Sequence, residues 1–207
     1  MGIAREGWSY VLTLLGAACV FLALHFHGTS GTLAVLGLFC AFFFRDPERV
    51  TPDGPNLVIS PADGKIVGIQ EPPDGPLGAG STQVSIFLSI FDVHVNRTPI
   101  SGRIESIHYH EGAFLPAFDD KASLRNEQNS IVVRDGDRRI AFKQIAGLIA
   151  RRIVFRKQVN DPVVRGERVG LIKFGSRVDV FFPPGSRLRV KRGDRVQAGA
   201  SILGEMP

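Results

Sequence analysis

Residues 1–44 carry only two charged side chains, Arg5 and Glu6, and no other feature constrains the fold as much. Trp8 to Leu24 is an uncharged run of 17 residues, and Thr32 to Phe44 is a second of 13. His25-Phe26-His27-Gly28-Thr29-Ser30-Gly31 breaks the two apart. A membrane-spanning helix needs roughly 20 apolar residues, so the first run is near the lower limit and the second is short. The pattern predicts a hydrophobic helical hairpin over residues 1–46, embedded in a membrane, or one span plus a segment dipping into one leaflet. A signal peptide fits less well, because Glu6 offsets the single Arg5 and no clear cleavage site precedes the second run. The loop between the runs lacks Lys and Arg while the chain after Arg45 is basic, which places the body in the cytoplasm by the positive-inside rule.

The rest of the chain is a soluble body, residues 47–207, long enough to bury its own core. It holds all but two of the 25 Lys/Arg and all but two of the 20 Asp/Glu. The net charge of +5 suits an anionic partner such as a phospholipid surface or a phosphorylated substrate. Nucleic acid would also match the charge, but no basic–aromatic interleaving or binding signature accompanies it. Cys19 and Cys40 both lie in the apolar part, so neither a disulfide framework nor a Cys-based metal site holds the body together.

Short runs at strand spacing fill the body: Leu57–Ser60, Gly64–Ile69, Gln83–Ile90, Gly102–His110, Ile131–Arg134, Arg139–Ile145, Ile149–Phe155, Gly170–Phe174, Arg177–Phe182 and Leu188–Val190. Gly, Pro and Asp separate most of them, and only Ala141–Arg152 is ambiguous with a helix. The expected class is mainly β, a barrel or sandwich. Val190-Lys191-Arg192-Gly193-Asp194-Arg195-Val196-Gln197-Ala198-Gly199 resembles the turn signature of barrel-sandwich-hybrid domains, and Ser60-Pro61-Ala62-Asp63-Gly64-Lys65-Ile66 looks related to it. No Lys stands at a carrier tip, so the resemblance concerns shape and not carrier function.

Three groups could carry chemistry. Gly175-Ser176 interrupts the strand-like stretch Leu171–Phe182, which reads either as a bulge or as a tight break where the Ser176 hydroxyl attacks the Gly175 carbonyl. Asp63, followed by Gly64, reads as a turn residue or as an acid. His94 alternates with Val93 and Val95, which puts it on the polar face of a strand over Phe91–Asn96. Asp, His and Ser are the minimum set for making a hydroxyl nucleophilic. His108 and His110 share a strand face but lack a third ligand at motif spacing, so no metal is expected. The clusters Arg151, Arg152, Arg156, Lys157 and Arg187, Arg189, Lys191, Arg192, Arg195 are solvated faces or face lipid headgroups.

Taken together, these segments resemble the phosphatidylserine decarboxylases, in their short bacterial and archaeal branch. The matching pieces run in order: Ser60–Lys65, Asp92–Pro99, Glu111–Phe114, Asp120–Ser123, Asn126-Glu127, Ile145–Ile153 and Lys173–Val178. The resemblance implies a self-maturing enzyme in phospholipid biosynthesis. Ser176 would attack Gly175 and split the chain into 1–175 and 176–207, which stay associated. Ser176 would become a pyruvoyl group that forms a Schiff base with the substrate amine and draws in the electrons as carbon dioxide leaves. Phosphatidylserine would give phosphatidylethanolamine, with His94 and Asp63 assisting cleavage and His94 moving a proton in decarboxylation. Longer relatives carry a second His where Arg97 stands here, so either His94 does both jobs or the base differs. The same chemistry on an archaeal serine lipid (archaetidylserine), a membrane-tethered hybrid-barrel module that only binds, and assembly into a homo-oligomer stay open.

Overall fold

The computed structural model describes residues 2–73, 75–112, 126–147, 152–173 and 175–207. The chain divides into two compact units, Met1–Glu48 and Arg49–Pro207. In the first, α1 (Trp8–Ala23) and α2 (His27–Phe43) form a hairpin. Its ends are tied by β1 (Gly2–Ile3) pairing antiparallel with β2 (Arg45–Asp46). Only Leu24–Phe26 breaks the helices, with His25 at φ 63°. The break expected over His25–Gly31 is therefore shorter, and His27–Gly31 is the opening of α2. Two glycines lower helix propensity there by about 1 kcal/mol each. Tertiary contacts offset this: the buried Ser30 Oγ donates to the Ala18 carbonyl at 2.8 Å. Gly37 lies against Leu15, where a Cβ would come within 2.7 Å of Leu15 Cδ2. The continuous helical stretch Arg5–Ala23 has 19 residues and is long and apolar enough to cross a membrane. Leu12, Val20, Leu22, Val35 and Leu38 are exposed on the hairpin.

The second unit is mainly β, built on a curled half-barrel sheet. Its strands are β3 (Leu57–Ile59), β4 (Gly64–Gln70), β5 (Thr82–Leu88), β6 (Val95–Arg97), β7 (Gly102–His110), β8 (Gln128–Asp135), β9 (Arg138–Ala146), β10 (Ile153–Phe155), β11 (Pro162–Val163), β12 (Arg168–Ile172), β13 (Ser176–Phe182), β14 (Arg187–Leu188), β15 (Arg195–Val196) and β16 (Ile202–Glu205). The large sheet has the order β11-β7-β8-β9-β13-β5-β4-β15, and two three-stranded sheets, β10-β12-β6 and β14-β16-β3, accompany it. The two segments resembling a hybrid motif meet here, because β15 pairs β4 through Arg195↔Lys65 and Val196↔Gly64.

Period-two alternation decides which faces are buried. On β13, Val178, Val180 and Phe182 join Ile66, Val84, Ile86, Ile131, Ile140 and Phe142 in one core, with Val169 and Ile172 of β12 against them. The ambiguous Ala141–Arg152 begins as strand, within β9. The run expected over Ile149–Phe155 is strand at Ile153–Phe155, and residues 148–151 lie outside the described residues, as do Phe114, Asp120–Ser123 and Phe174. The strand expected to reach Ile90 stops at Leu88, because Asp92 Oδ2 accepts the Ser89 N–H at 2.8 Å and its hydroxyl at 2.7 Å, closing a turn.

Candidate active site

The Gly-Ser pair is not a bulge within one sheet. β12 belongs to a three-stranded sheet and β13 to the large one, so the chain changes sheets between Ile172 and Ser176. Before the turn, the Lys173 N–H donates to the Arg152 carbonyl at 3.2 Å. Gly175 sits at φ 65°, in the left-handed region that a side chain disfavours. A Cβ there would meet nothing within 4 Å, so glycine is required by the backbone and not by crowding. Ser176 then enters the sheet between two strand ends, paired with Leu88 of β5 and Ala146 of β9. It is fully buried, and its Oγ has no hydrogen-bond partner among the described residues. Leaving a buried hydroxyl unsatisfied costs about 1–3 kcal/mol.

His94 is close in the chain path: its carbonyl accepts the Ile172 N–H at 3.3 Å, four residues before Ser176. The expected strand over Phe91–Asn96 is corrected here. The strand begins at Val95, and His94 is buried, not on a solvated polar face. The Ser89–Asp92 turn takes up the first half of the alternating run, and the β6–β12 pairing covers the second. His94 Nδ1 lies 3.0 Å from the Asp92 carbonyl oxygen. A carbonyl can only accept, so Nδ1 carries the hydrogen in the neutral ring and Nε2 carries the lone pair. That is the tautomer a general base needs.

The Asp63 carboxylate is buried and held from two sides. Oδ1 accepts the Ala198 N–H at 2.7 Å and Oδ2 accepts from Arg49 Nη2 at 2.9 Å. Its segment is stitched to β6, since the Pro61 carbonyl accepts the Arg97 N–H at 2.9 Å. Arg97 is the last residue of β6. It is buried, donates from Nη1 to the Gly166 carbonyl at 3.0 Å and lies against Gly199, where a Cβ would approach its Cδ to 2.7 Å. The structure thus ties Ser176 and His94 together through β12, and the Asp63 segment to β6 beside His94. His108 and His110 are exposed on β7, and no group of three metal-ligating side chains occurs among the described residues.

Several polar groups around the turn were missed by sequence reasoning. Gln144 Nε2 donates to Asn96 Oδ1 at 2.9 Å, and Asn129 Nδ2 to Gln144 Oε1 at 3.3 Å. Ala146, the cross-strand neighbour of Ser176, is bracketed by the next two residues of interest. Its N–H donates to the Glu127 carbonyl at 2.9 Å, and its carbonyl accepts from Asn126 Nδ2 at 2.8 Å. The Glu127 carboxylate accepts the Tyr109 hydroxyl at 2.8 Å and the Ile153 N–H at 3.3 Å. Burial and then this hydrogen bond push the Tyr109 phenol up to about 12. On the opposite face of the large sheet, Arg177 Nε donates to Asp179 Oδ1 at 2.7 Å and its Nη2 to Ser85 Oγ at 2.8 Å. Both charges are buried; desolvation raises the Asp179 carboxyl against the opposing pull of Arg177, and desolvation lowers the nearby Lys143 ammonium. For Gln144 the legible signal was a polar residue at a strand position between Phe142 and Ala146, apolar neighbours on the same face.

Known proteins share this chain almost end to end. A family described as phosphatidylserine decarboxylase matches residues 36–204. A phosphatidylserine decarboxylase proenzyme of Solibacter usitatus is 49% identical over 203 residues, covering 98% of this chain and 96% of the relative. One of Magnetococcus marinus is 44% identical over 207 residues, with 99% and 95% covered. One of Burkholderia mallei is 41% identical over 206 residues, again with 99% and 95% covered.

Proposed function

The chain belongs to the phosphatidylserine decarboxylase family, and on that premise we propose that it cuts itself between Gly175 and Ser176 and then converts phosphatidylserine to phosphatidylethanolamine with a pyruvoyl group made from Ser176. The observation that carries this reading is the Ser176 hydroxyl, buried and unsatisfied beside a left-handed glycine. A structural serine would be hydrogen-bonded there. The cross-strand neighbours of Ser176, Leu88 and Ala146, offer it no side-chain hydrogen-bond partner.

In maturation, His94 Nε2 takes the Ser176 hydroxyl proton and Oγ adds to the Gly175 carbonyl. The C–N bond to Ser176 breaks as the C–O bond forms, and the amide nitrogen leaves as an amine, giving an ester. Loss of the Ser176 Cα proton then expels the Gly175 carboxylate. One water enters and one ammonia leaves, so that residues 1–175 and 176–207 remain as two chains. Asp63, clamped by Arg49 and Ala198, holds the segment that packs on β6 and so fixes where His94 stands. The pyruvoyl group supplies the electron sink that side chains lack in decarboxylation. His94 is the group that we assign to proton transfer in that step. The apolar hairpin anchors the chain in a cell membrane with the catalytic unit on the cytoplasmic side.

Intact-mass spectrometry of the purified chain tests the proposal. Two chains are expected, divided after Gly175, with the shorter one lighter than its encoded mass by one ammonia. Ser176→Ala should give one intact chain and no release of carbon dioxide from phosphatidylserine. A single full-length mass from active wild-type protein would refute the pyruvoyl mechanism.

A further inference from the structure

The turn after β5 ends in two apolar residues that face water, Ile90 and Phe91, the latter 64% exposed. Turns of this kind are ordinarily polar at the tip. This one is also stiff. Asp92 accepts from the Ser89 N–H and hydroxyl, and the Asp92 N–H returns to the Ser89 carbonyl at 2.9 Å. The loop that carries these two exposed apolar residues is therefore fastened rather than loose.

Four cations lie on β4, on β15 and on the turn before β15, next to the strand that leads into the tip. Lys65 lies across from Phe87 on one side and Arg195 on the other, and Arg195 Nη1 reaches Asp92 Oδ1 at 3.3 Å. The turn carrying Lys191 and Arg192 is fastened to β4, because the Gly193 N–H donates to the Ile66 carbonyl at 2.8 Å and the Ile66 N–H to Asp194 at 2.9 Å. All four cations are exposed. The two nearby carboxylates are occupied in holding turns, Asp92 as above and Asp194 on the Lys191 N–H. An apolar tip beside a cationic rim complements one partner, the surface of an anionic bilayer: acyl chains for the tip and phosphates for the rim.

The position of the tip matters as much as its chemistry. Leu88, the last residue of β5, is the cross-strand partner of Ser176. Ile90 follows two residues later, so the chain allows it to lie no more than about 7 Å on. The same Asp92 that shapes the tip presents its carbonyl to His94 Nδ1.

We propose that Ile90 and Phe91 enter the acyl layer of an anionic phospholipid membrane while Lys65, Lys191, Arg192 and Arg195 engage its headgroups, docking the catalytic unit with Ser176 and His94 at the lipid surface. The docking itself rests on the tip and its rim; its use in catalysis rests on the decarboxylase reading. It is a contact made by the β unit, separate from the helical hairpin.

The full-length protein with Trp8→Phe and Phe91→Trp has its only tryptophan at the tip. It would be reconstituted into vesicles of phosphatidylcholine and phosphatidylglycerol with and without brominated acyl chains. The expected result is blue-shifted emission, quenched by the bromines and protected from aqueous iodide. Emission quenched by iodide and indifferent to bromine would overturn the proposal. Quenching by neither would place the tip against protein and overturn it equally. A second arm uses Ile90→Ser with Phe91→Ser, and separately Lys65→Glu with Arg192→Glu. Each pair should raise KM for vesicle-borne phosphatidylserine by about tenfold or more. kcat, self-cleavage and turnover of a short-chain soluble phosphatidylserine should not change. Unchanged KM in an otherwise active enzyme would refute docking. A wild-type protein inert on every phosphatidylserine would refute the decarboxylase reading, while the tryptophan arm would still decide whether the tip inserts.

Discussion

Replacing Gly175 by alanine should slow self-cleavage by about 5- to 30-fold, acting through the backbone alone. Gly175 holds φ 65°, and a Cβ built on it meets nothing within 4 Å. There is no steric term to add to the conformational one. Placing an L-residue in the left-handed region costs about 1–2 kcal/mol. At about 1.4 kcal/mol per factor of ten, the fraction of precursor holding the turn falls by the stated amount. Asparagine tolerates this region better than alanine, and a β-branched residue far less. The rates should rank Gly, Asn, Ala, Val. The assay is a pulse-labelled precursor followed by denaturing gel as the two chains appear. Alanine cutting as fast as glycine would show that the left-handed turn is not the reacting geometry. Asparagine slower than alanine would show that size, not φ, is what the site resists.

Other expectations follow from the buried charges and the Tyr109–Glu127 pair. Arg177→Met strands the Asp179 carboxylate, and breaking one side of a buried pair costs about 3–5 kcal/mol. Urea unfolding of the uncleavable Ser176→Ala chain should record that loss, and adding Asp179→Leu should restore part of it; strictly additive losses would refute coupling. The Asp179 carboxyl is already raised, so its protonated form favours the fold and its contribution is lost as pH rises through the folded value. The Arg177→Met loss should therefore be smaller in acid than at neutral pH. In a Tyr10→Phe chain, phenolate absorbance should rise near pH 12, against an ordinary value of 10.0. The neutral phenol's contribution to stability is then complete below pH 10.0 and lost as pH passes about 12. Glu127→Gln should bring that titration down.

The strands were legible because alternation and turn residues agreed, and Gly102–His110 has the bounds read from its pattern. The positions of His94 and Gly175–Ser176 were not. Alternation around His94 looked like a half-exposed strand, but the Ser89–Asp92 turn and the pairing of β6 with β12 are tertiary facts that no local period encodes. The same holds for the Gly-Ser break. Its two flanking runs look continuous, and only sheet topology reveals that they belong to different sheets.

A second signal lay in the chain and needed registration between strands to be read. The inward residues of β9 run Ile140, Phe142, Gln144, Ala146, and those of β13 run Phe182, Val180, Val178, Ser176. On β8 the same face passes from Val133 and Ile131 to Asn129, with Glu127 just beyond the strand. Each line is apolar at one end and polar or small at the other, and the register puts all the polar ends together. Buried polar groups on three adjacent strands are costly unless they serve each other or a ligand. Gln144, Asn129 and Asn96 serve each other, and Glu127 serves Tyr109 and Ile153. Ser176, at the centre of that end, has its hydroxyl left unsatisfied among the described residues, and Asn129 Oδ1 at the same end is left without a partner too. The place where the core stops being apolar is thus the place where chemistry can begin, and Gly175–Ser176 lies there because the sheet change delivers it to that end.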